Sequence, residues 1–381
     1  MKRFLSMLLA GVLCVSMAAG LTGCGGTQDN TPVVATIDGE DVQSSELAAY
    51  IVYNLMYYEN SFGMDISVLA GDDIFNGIKE GCLNQVKQYR AIQKLAEQEG
   101  VSLSQSSKDT LEENKDANRE ALGSKTGGFT RWLKYTVKGD EDPFVTYLNS
   151  YGYTEELYDS NNETTQLMYD VIDKYYDDGI ITEQFHDTYL HAKSILIADT
   201  DEDGNQLEGD ALTEAQQKAQ SILDQAKADP DSFDELWEEN NADTAQSDDG
   251  YYFTEGDMVT EYYDAVSNME DGAINDELVY YEGYGWFIIE RLELKDEALT
   301  DTASYLNNSG EEGDDSTIKD AIGEQIVQDK LDEIIETMEV ETTEEYDKIT
   351  AYNVNTYLPF NADAFVEEGS GSAGSAVGSA G

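Results

Sequence analysis

Basic residues, histidine and cysteine are scarce in this chain, and each shortage narrows what the protein can do. Its 381 residues include 22 Lys and Arg against 79 Asp and Glu, a formal net charge of −57. Such a surface repels nucleic acid and anionic lipid, which excludes nucleic-acid binding, whereas it attracts basic polypeptides. The chain has two histidines, His186 and His191, so a histidine metal site or a Ser-His-Asp triad would depend on these two residues. We therefore expect neither a cofactor nor a metal.

The N-terminus has the pattern of an export signal. Lys2 and Arg3 precede an apolar run, residues 4–21, that ends in small residues, as in a signal peptide. The sequence Leu21-Thr-Gly-Cys24 resembles a bacterial lipoprotein signal. The resemblance implies removal of residues 1–23, acylation of Cys24, and anchoring outside the cytoplasm to the bacterial cell membrane. An ordinary secretory peptide with an incidental cysteine is the alternative.

The remaining cysteines do not form a disulfide framework. Cys14 lies within the signal peptide, and Cys24 is the predicted lipid site. Cys82 is then alone, so an intramolecular disulfide is excluded. Because Cys82 falls on an apolar stripe with helical spacing, we expect a small buried core residue.

The first part of the mature chain is predicted to be a helical domain, residues 33–188, after a linker at 24–32. It opens with the strand VVATI and an Asp-Gly turn, followed by a helix that Ser44 or Ser45 could cap. A helix over 75–99 should stop at Gly100. Four more helical patterns follow, at 108–122, 144–150, 155–176 and 182–190.

Residues 189–294 have a different pattern. They open with HAKSILI and close with GYGWFIIERLEL, two apolar runs with β-branched residues that predict strands. Between these runs lie a helical pattern at 212–227, SFDELWEEN, FTEGDM, and a predicted helix and turn at 265–272. In this order the blocks resemble a parvulin-type peptidyl-prolyl isomerase domain, which implies an unfolded polypeptide as substrate.

The resemblance also implies where a proline ring would bind. In the family, two phenylalanines and a methionine form an apolar pocket. The matching positions are Phe253, Met258 and Tyr262, all large and largely apolar. The alternative is that they are ordinary core residues.

The polar part of the family's active site matches less closely. Two stacked histidines on the first and last strands correspond to Ser194 and Phe287. A third polar position falls in the loop 240–247, at Asp243 or, as the runner-up, Asn241. Prolyl isomerisation breaks no bond, although its barrier is about 20 kcal/mol, so an apolar pocket can act without a general acid or base.

The C-terminal region, residues 295–360, contains a predicted helix with apolar residues from Ile318 to Ile335 on one face. Together with the N-terminal part it resembles foldases of the PrsA and SurA class, in which this helix packs on the N-terminal domain. Residues 361–381 form a Gly/Ser/Ala tail with no core to join. The expected fold is α+β, with a parvulin-like domain of a small antiparallel sheet flanked by helices inserted into a helical chaperone body.

Three functions from different classes remain. The first is a membrane-anchored extracytoplasmic foldase that isomerises prolyl bonds in exported proteins. The second is an isomerase-inactive holdase that binds unfolded chains, with a tyrosine-rich helix at residues 50–58 as a candidate contact surface. The third is a solute-binding lipoprotein, which the ordered parvulin-like blocks disfavour.

The loop from Asp199 to Asp210 has the aspartate spacing and the glycine of a calcium loop, but lacks the final glutamate and a preceding helix. We therefore favour a solvated acidic turn over a calcium site. Parvulins that prefer phosphorylated clients carry basic residues in this region, so the resemblance and the acidity of this loop together imply no such preference.

Overall fold

In the computed structural model, the described residues are 31–64, 66–122, 142–201, 203–308 and 315–359. The predicted signal peptide, Cys24, most of the linker and the C-terminal tail lie outside them. Within these ranges, no helix is long and apolar enough to cross a membrane. The described residues divide into two compact units, one from 31–173 with 327–359 and the other from 174–326. The predicted domain boundaries at 189 and 294 stay predictions.

The strands form two antiparallel sheets. The first unit holds β1 (Val33–Ile37), β2 (Glu40–Gln43) and β7 (Val340–Thr342), in the order β2-β1-β7. The second unit holds β3 (Leu190–Ala198), β4 (Tyr251–Phe253), β5 (Val279–Tyr281) and β6 (Gly285–Leu292), in the order β4-β3-β6-β5. Small antiparallel sheets with many helices confirm the predicted α+β class.

Helices supply most of the remaining regular structure. In chain order they are α1 (Ser44–Phe62), α2 (Ile66–Leu69), α3 (Asp72–Glu99), α4 (Gln105–Leu122), α5 (Pro143–Ser150), α6 (Glu155–Asp177), α7 (Ile180–Thr188), α8 (Gly209–Ala228), α9 (Phe233–Asn240), α10 (Thr260–Ser267), α11 (Ile318–Thr337) and α12 (Glu344–Lys348). The helix stop at Gly100 is confirmed, since that glycine adopts φ 68° and its N–H bonds the last turn of α3.

Two local predictions were wrong. The residue that caps α1 is Gln43, with extended backbone and no side-chain cap; Ser44 already lies in the helix and is buried. The helix expected within 265–272 is α10, which begins at Thr260. Tyr262 and Val266, four residues apart, are both buried, so one face of α10 packs on the core over two turns.

The first unit joins both ends of the described chain. β7 pairs with β1, and the Thr343 N–H donates to the Val34 carbonyl over 2.9 Å. The buried Lys79 ammonium donates to the carbonyls of Tyr346 and Ile349 at 3.1 and 3.3 Å. Cys82 is buried as predicted, and burial raises the pKa of its thiol to about 12, so this thiol is unreactive.

The second unit is built around β3, which is buried on both faces. Ile195 and Ile197 face a cluster with α8 and α9, whereas Leu196 faces the opposite cluster with α10. β6 runs alongside at very close range. A Cβ atom on Gly285, whose φ is 128°, would lie 2.1 Å from the Ile197 carbonyl oxygen, so only glycine fits there. β3 and β6 therefore form a rigid base for the side chains on both faces.

Candidate functional site

The predicted pocket residues meet on the α10 face of the second sheet. Phe253 ends β4, Met258 lies in the following turn, and Tyr262 is in the first turn of α10. The ring centroids of Phe253 and Tyr262 are 5.6 Å apart with an interplanar angle of 62°, and Met258 packs against the same cluster. The three side chains are brought together, while their role in binding stays a prediction.

These three side chains differ in their access to solvent. Phe253 is 0% exposed and Tyr262 is 3% exposed, whereas Met258 is partly exposed. A ligand that approaches this cluster would therefore meet Met258 first. In this conformation the rings of Phe253 and Tyr262 are part of the hydrophobic core. A proline ring could contact them only if the cluster opened.

Ser194 belongs to a buried hydrogen-bond group centred on Gln246. The Ser194 N–H and the Trp237 indole N–H both donate to the Gln246 side-chain oxygen, at 3.1 and 2.8 Å. The Gln246 amide then donates to the Ser194 hydroxyl over 3.2 Å. Because Gln246 is buried and its amide oxygen accepts from two elements, it fixes the loop 240–247 to β3. Sequence reasoning missed this residue, since nothing marks one glutamine in a polar loop as buried.

Phe287, at the second position that the family fills with histidine, is part of the aromatic cluster. It pairs with Leu196 across the strands, whereas Ser194 pairs with Ile289, so Ser194 and Phe287 are diagonal neighbours on one face. The Phe287 and Tyr262 ring centroids are 5.3 Å apart, with an interplanar angle of 79°. Phe287 thus supports the Tyr262 ring and offers no proton-transfer group.

Asp243, in the loop, contacts this cluster through Tyr251. Its carboxylate accepts from the Tyr251 hydroxyl at 3.0 Å and from the Ala245 N–H at 3.0 Å. Asn241, the other candidate, accepts from the Leu196 N–H at 2.9 Å and holds the loop against β3. Asp243 therefore places a carboxyl group beside Tyr251, and Asn241 has a structural contact.

Both tyrosine hydroxyls here stay protonated at neutral pH. Burial raises the pKa of Tyr251, and the bonded Asp243 carboxylate raises it further. Burial also raises the pKa of Tyr262; the nearby Ser194 hydroxyl acts against this shift, and Asp243 adds to it. No described group accepts from or donates to the buried Tyr262 hydroxyl at ordinary hydrogen-bond geometry. The site thus offers neutral hydroxyl donors and one carboxylate within an apolar cluster.

Replacing Tyr262 by phenylalanine should raise the free energy of unfolding by about 1 kcal/mol, because a buried unpaired hydroxyl is costly and the ring packing is kept. Amide exchange of β3 and β6 would report the change. Tyr251→Phe is the matched control and should be neutral or destabilising, since it removes the bond to Asp243. A destabilised Tyr262→Phe variant would show that Ser194 pairs with this hydroxyl.

His191 lies at the start of β3, away from the aromatic cluster. Its ring is fully buried and stacks on Tyr252, with centroids 3.8 Å apart and planes 11° apart. Nδ1 lies 2.8 Å from the Glu293 carbonyl oxygen, and Nε2 lies 2.6 Å from that of Asp249. These contacts join β3 to two loops, so His191 has a structural role in the domain.

The acidic loop after β3 holds its own turn together. The Asp201 carboxylate accepts from the backbone N–H groups of Asp203 and Asn205, at 3.0 and 2.8 Å. Asp199 points elsewhere, accepting from the Tyr280 hydroxyl at 2.9 Å and from the Gly283 N–H at 3.1 Å. Among the residues that the structure describes, no three metal-ligand side chains converge. The geometry fits the acidic turn better than the calcium loop.

The tyrosine-rich helix of the first unit is only partly exposed. Tyr50 is buried, and its hydroxyl donates to Asn161 over 2.5 Å. Tyr57 is exposed, and a small cavity of about 110 Å³ is lined by Tyr53, Tyr57, Ser61 and Tyr151. The outer part of this cluster, at Tyr57, is thus exposed to solvent.

Comparison with known families identifies the domain to which the candidate site belongs. Residues 180–295 match the model of the PPIC-type PPIASE domain. This segment is a parvulin-type peptidyl-prolyl isomerase domain. The parvulin domain includes α7 through β6, and therefore every residue of the candidate site. No curated protein matches the chain.

Several solved structures are similar to the chain as a whole. The peptidylprolyl isomerase PrsA of Bacillus cereus is 19% identical, with 70% of this chain and 85% of that chain covered and a TM-score of 0.30. The foldase PrsA of Streptococcus pneumoniae is 15% identical, with 80% and 93% covered and a TM-score of 0.28. A structure from Campylobacter jejuni, described for the SurA-like chaperones PEB4 and Cj1289, is 16% identical, with 80% and 94% covered and a TM-score of 0.23. TM-scores this low do not extend the family relationship beyond the parvulin domain.

Proposed function

We propose that this protein is a lipid-anchored extracytoplasmic foldase whose parvulin domain isomerises X–Pro bonds in exported polypeptides. The observation that supports this most is that Phe253, Met258 and Tyr262 form one apolar cluster inside the matched domain. Asp243 and the Tyr251 hydroxyl, which donates to it, lie beside that cluster. They can orient a peptide by hydrogen bonds, and no proton transfer to the substrate is required.

Catalysis in this proposal rests on binding the twisted amide. An X–Pro bond crosses a barrier of about 20 kcal/mol when its carbonyl leaves the plane of the ring nitrogen. An apolar cluster that holds the ring and excludes water favours this less polar, twisted form over the planar amide. Ser194 and Phe287, at the positions of the family's histidines, would then serve as supports for the site.

The test is the cis-to-trans relaxation of proline tetrapeptides with the chain that lacks residues 1–24. A relaxation rate above the uncatalysed one, and abolished by an excess of unlabelled proline peptide, would support the isomerase. A rate equal to the uncatalysed one at every protein concentration would exclude turnover and leave the holdase.

The holdase is the second candidate because Phe253 and Tyr262 are occluded in this conformation, whereas Tyr57 of the first unit is exposed. Suppression of aggregation of an unfolded client separates the two functions. If Tyr57→Ala weakens protection while Met258→Ala leaves it unchanged, the client contacts are in the first unit. The opposite pattern would place them in the parvulin domain.

Anchoring is a separate prediction. In cells labelled with a fatty-acid analogue, the full chain should carry the label and sediment with membranes, because several acyl chains on Cys24 give stable anchoring. Cys24→Ser should abolish both, whereas Cys82→Ser, at a buried thiol, should change neither. Label retained in the Cys24→Ser variant would exclude this lipid site.

A further inference from the structure

A row of aromatic rings leads from the buried cluster to the protein surface. The centroid of Tyr262 lies 5.3 Å from that of Phe287, which lies 6.5 Å from that of Tyr284, and Tyr284 lies 5.8 Å from Tyr281. The first two rings are buried, whereas Tyr281 is 37% exposed and Tyr284 is 54% exposed. We call these four side chains the aromatic row; its outer end lies on the hairpin between β5 and β6.

The hairpin that carries the outer end is held in place by several hydrogen bonds. The Tyr284 N–H donates to the Tyr281 carbonyl over 3.1 Å, which closes the turn. The buried Asp199 accepts from the Gly283 N–H, and its own N–H donates to the Tyr284 carbonyl over 3.2 Å. The backbone that carries the exposed rings is thus held in place before any ligand binds, which lowers the conformational entropy lost on binding.

The electrostatics of the outer end favour a cation. Glu282 is exposed between the two tyrosines, and within the described residues no Lys or Arg lies over either ring. The face of a tyrosine ring attracts ammonium and guanidinium groups, and the chain's net charge of −57 concentrates basic polypeptides around it.

We propose that Tyr281, Glu282 and Tyr284 form a subsite for an arginine or lysine side chain of the client, close in sequence to the isomerised proline. This inference rests on the proposed function, since it assumes that the proline binds at the inner end of the aromatic row. Two ring-to-ring steps, of 6.5 and 5.3 Å, separate Tyr284 from Tyr262. An extended chain advances about 3.3 Å per residue, so the basic side chain falls within about four residues of the proline.

The test uses proline peptides that carry Arg, Leu, Phe or Glu three residues from the proline, on either side of it. Binding and exchange rates of each peptide are measured by NMR with the chain that lacks residues 1–24. We expect the Arg peptide to bind about two- to five-fold more tightly than the Leu peptide, the size of an exposed cation–π contact. The Glu peptide should bind most weakly, and added salt should reduce the spread.

Two variants test whether the preference for the Arg peptide depends on the exposed tyrosines. Tyr284→Leu keeps an apolar side chain but removes the ring face, and should bring the Arg peptide down to the affinity of the Leu peptide. Tyr280→Leu is the matched control. Tyr280 is similarly exposed on the same hairpin, but it faces the other side of the sheet and packs against Trp286 with centroids 5.0 Å apart. Tyr280→Leu removes the hydroxyl bond to Asp199 but keeps the Asp199 bonds to Gly283 and Tyr284, so the Arg preference should be unchanged, with amide exchange showing that the hairpin remains folded.

The outcomes separate this subsite from the isomerase proposal. A Leu or Phe peptide that binds better than the Arg peptide, or an Arg preference that survives Tyr284→Leu, would overturn the subsite. If the Arg preference is lost in Tyr284→Leu but no peptide is isomerised, the subsite stands and the enzyme proposal fails. If all four peptides are isomerised and bind with equal affinity, the enzyme proposal stands and the subsite fails.

Discussion

Replacing Phe253 by alanine should lower the free energy of unfolding of the parvulin domain by about 3–5 kcal/mol, the usual cost of removing a buried aromatic ring. Phe253 is 0% exposed and contacts the rings of Tyr262 and Tyr263, so its loss leaves a cavity within the cluster. Amide exchange of β3 and β6 measures this domain by itself, which a single unfolding curve of a two-unit protein would not.

Met258→Ala decides whether this cluster is also a pocket. Met258 is partly exposed, so its removal should cost the domain about 1 kcal/mol, well below the cost of Phe253→Ala. If a proline ring binds against Met258, the isomerisation rate should nevertheless fall strongly. Val259→Ala is the control, because Val259 is the next residue and packs, partly buried, in the same cluster.

A Met258→Ala variant that isomerises peptides as fast as Val259→Ala would show that the cluster is only core. A loss of rate in proportion to stability in all three variants would lead to the same conclusion. A loss of rate confined to Met258→Ala and Phe253→Ala would support the pocket.

The sequence order of the blocks was enough to predict the two central strands of the second sheet, β3 and β6, and the meeting of Phe253, Met258 and Tyr262, whereas the short strands β4 and β5 were not predicted. Successive side chains of β3 and β6 point to opposite faces, and both faces are buried, which continuous apolar runs such as ILI and WFII indicate. The sequence could not show that two of these rings are occluded. An apolar ring has the same pattern in a core as in a pocket, and only the packing of its neighbours separates the two.

Polar residues in loops were predicted less well, for a related reason. Asp199 and Asp201 have the spacing of calcium ligands, yet one holds the β5–β6 hairpin and the other accepts backbone N–H groups of its own turn. Gln246 connects Ser194 with Trp237 through contacts that depend on where the loop folds. A short polar side chain can accept a hydrogen bond from a backbone N–H or bind a metal ion. Which of the two it does depends on tertiary contacts that the sequence does not show.

His191→Phe should be among the most destabilising substitutions in the parvulin domain, although it keeps an aromatic ring against Tyr252. Both ring nitrogens of His191 lie within hydrogen-bond distance of backbone carbonyls, at Glu293 and Asp249. Phenylalanine keeps the ring but has no N–H donor for either carbonyl. A buried acceptor that loses its partner costs about 1–3 kcal/mol.

The control for this prediction is the other histidine. His186 is partly exposed, and its Nε2 contacts the exposed Asp296 carboxylate at 2.7 Å, so His186→Phe should change the free energy of unfolding by less than about 1 kcal/mol. Amide exchange at β3 and at the residues after β6 would compare the two variants. Equal protection in both would mean that water replaces the His191 bonds, and the ring would then contribute only its stacking on Tyr252. Lower protection in His191→Phe alone would show that a histidine at the start of β3 stabilises the domain through the two loops it joins.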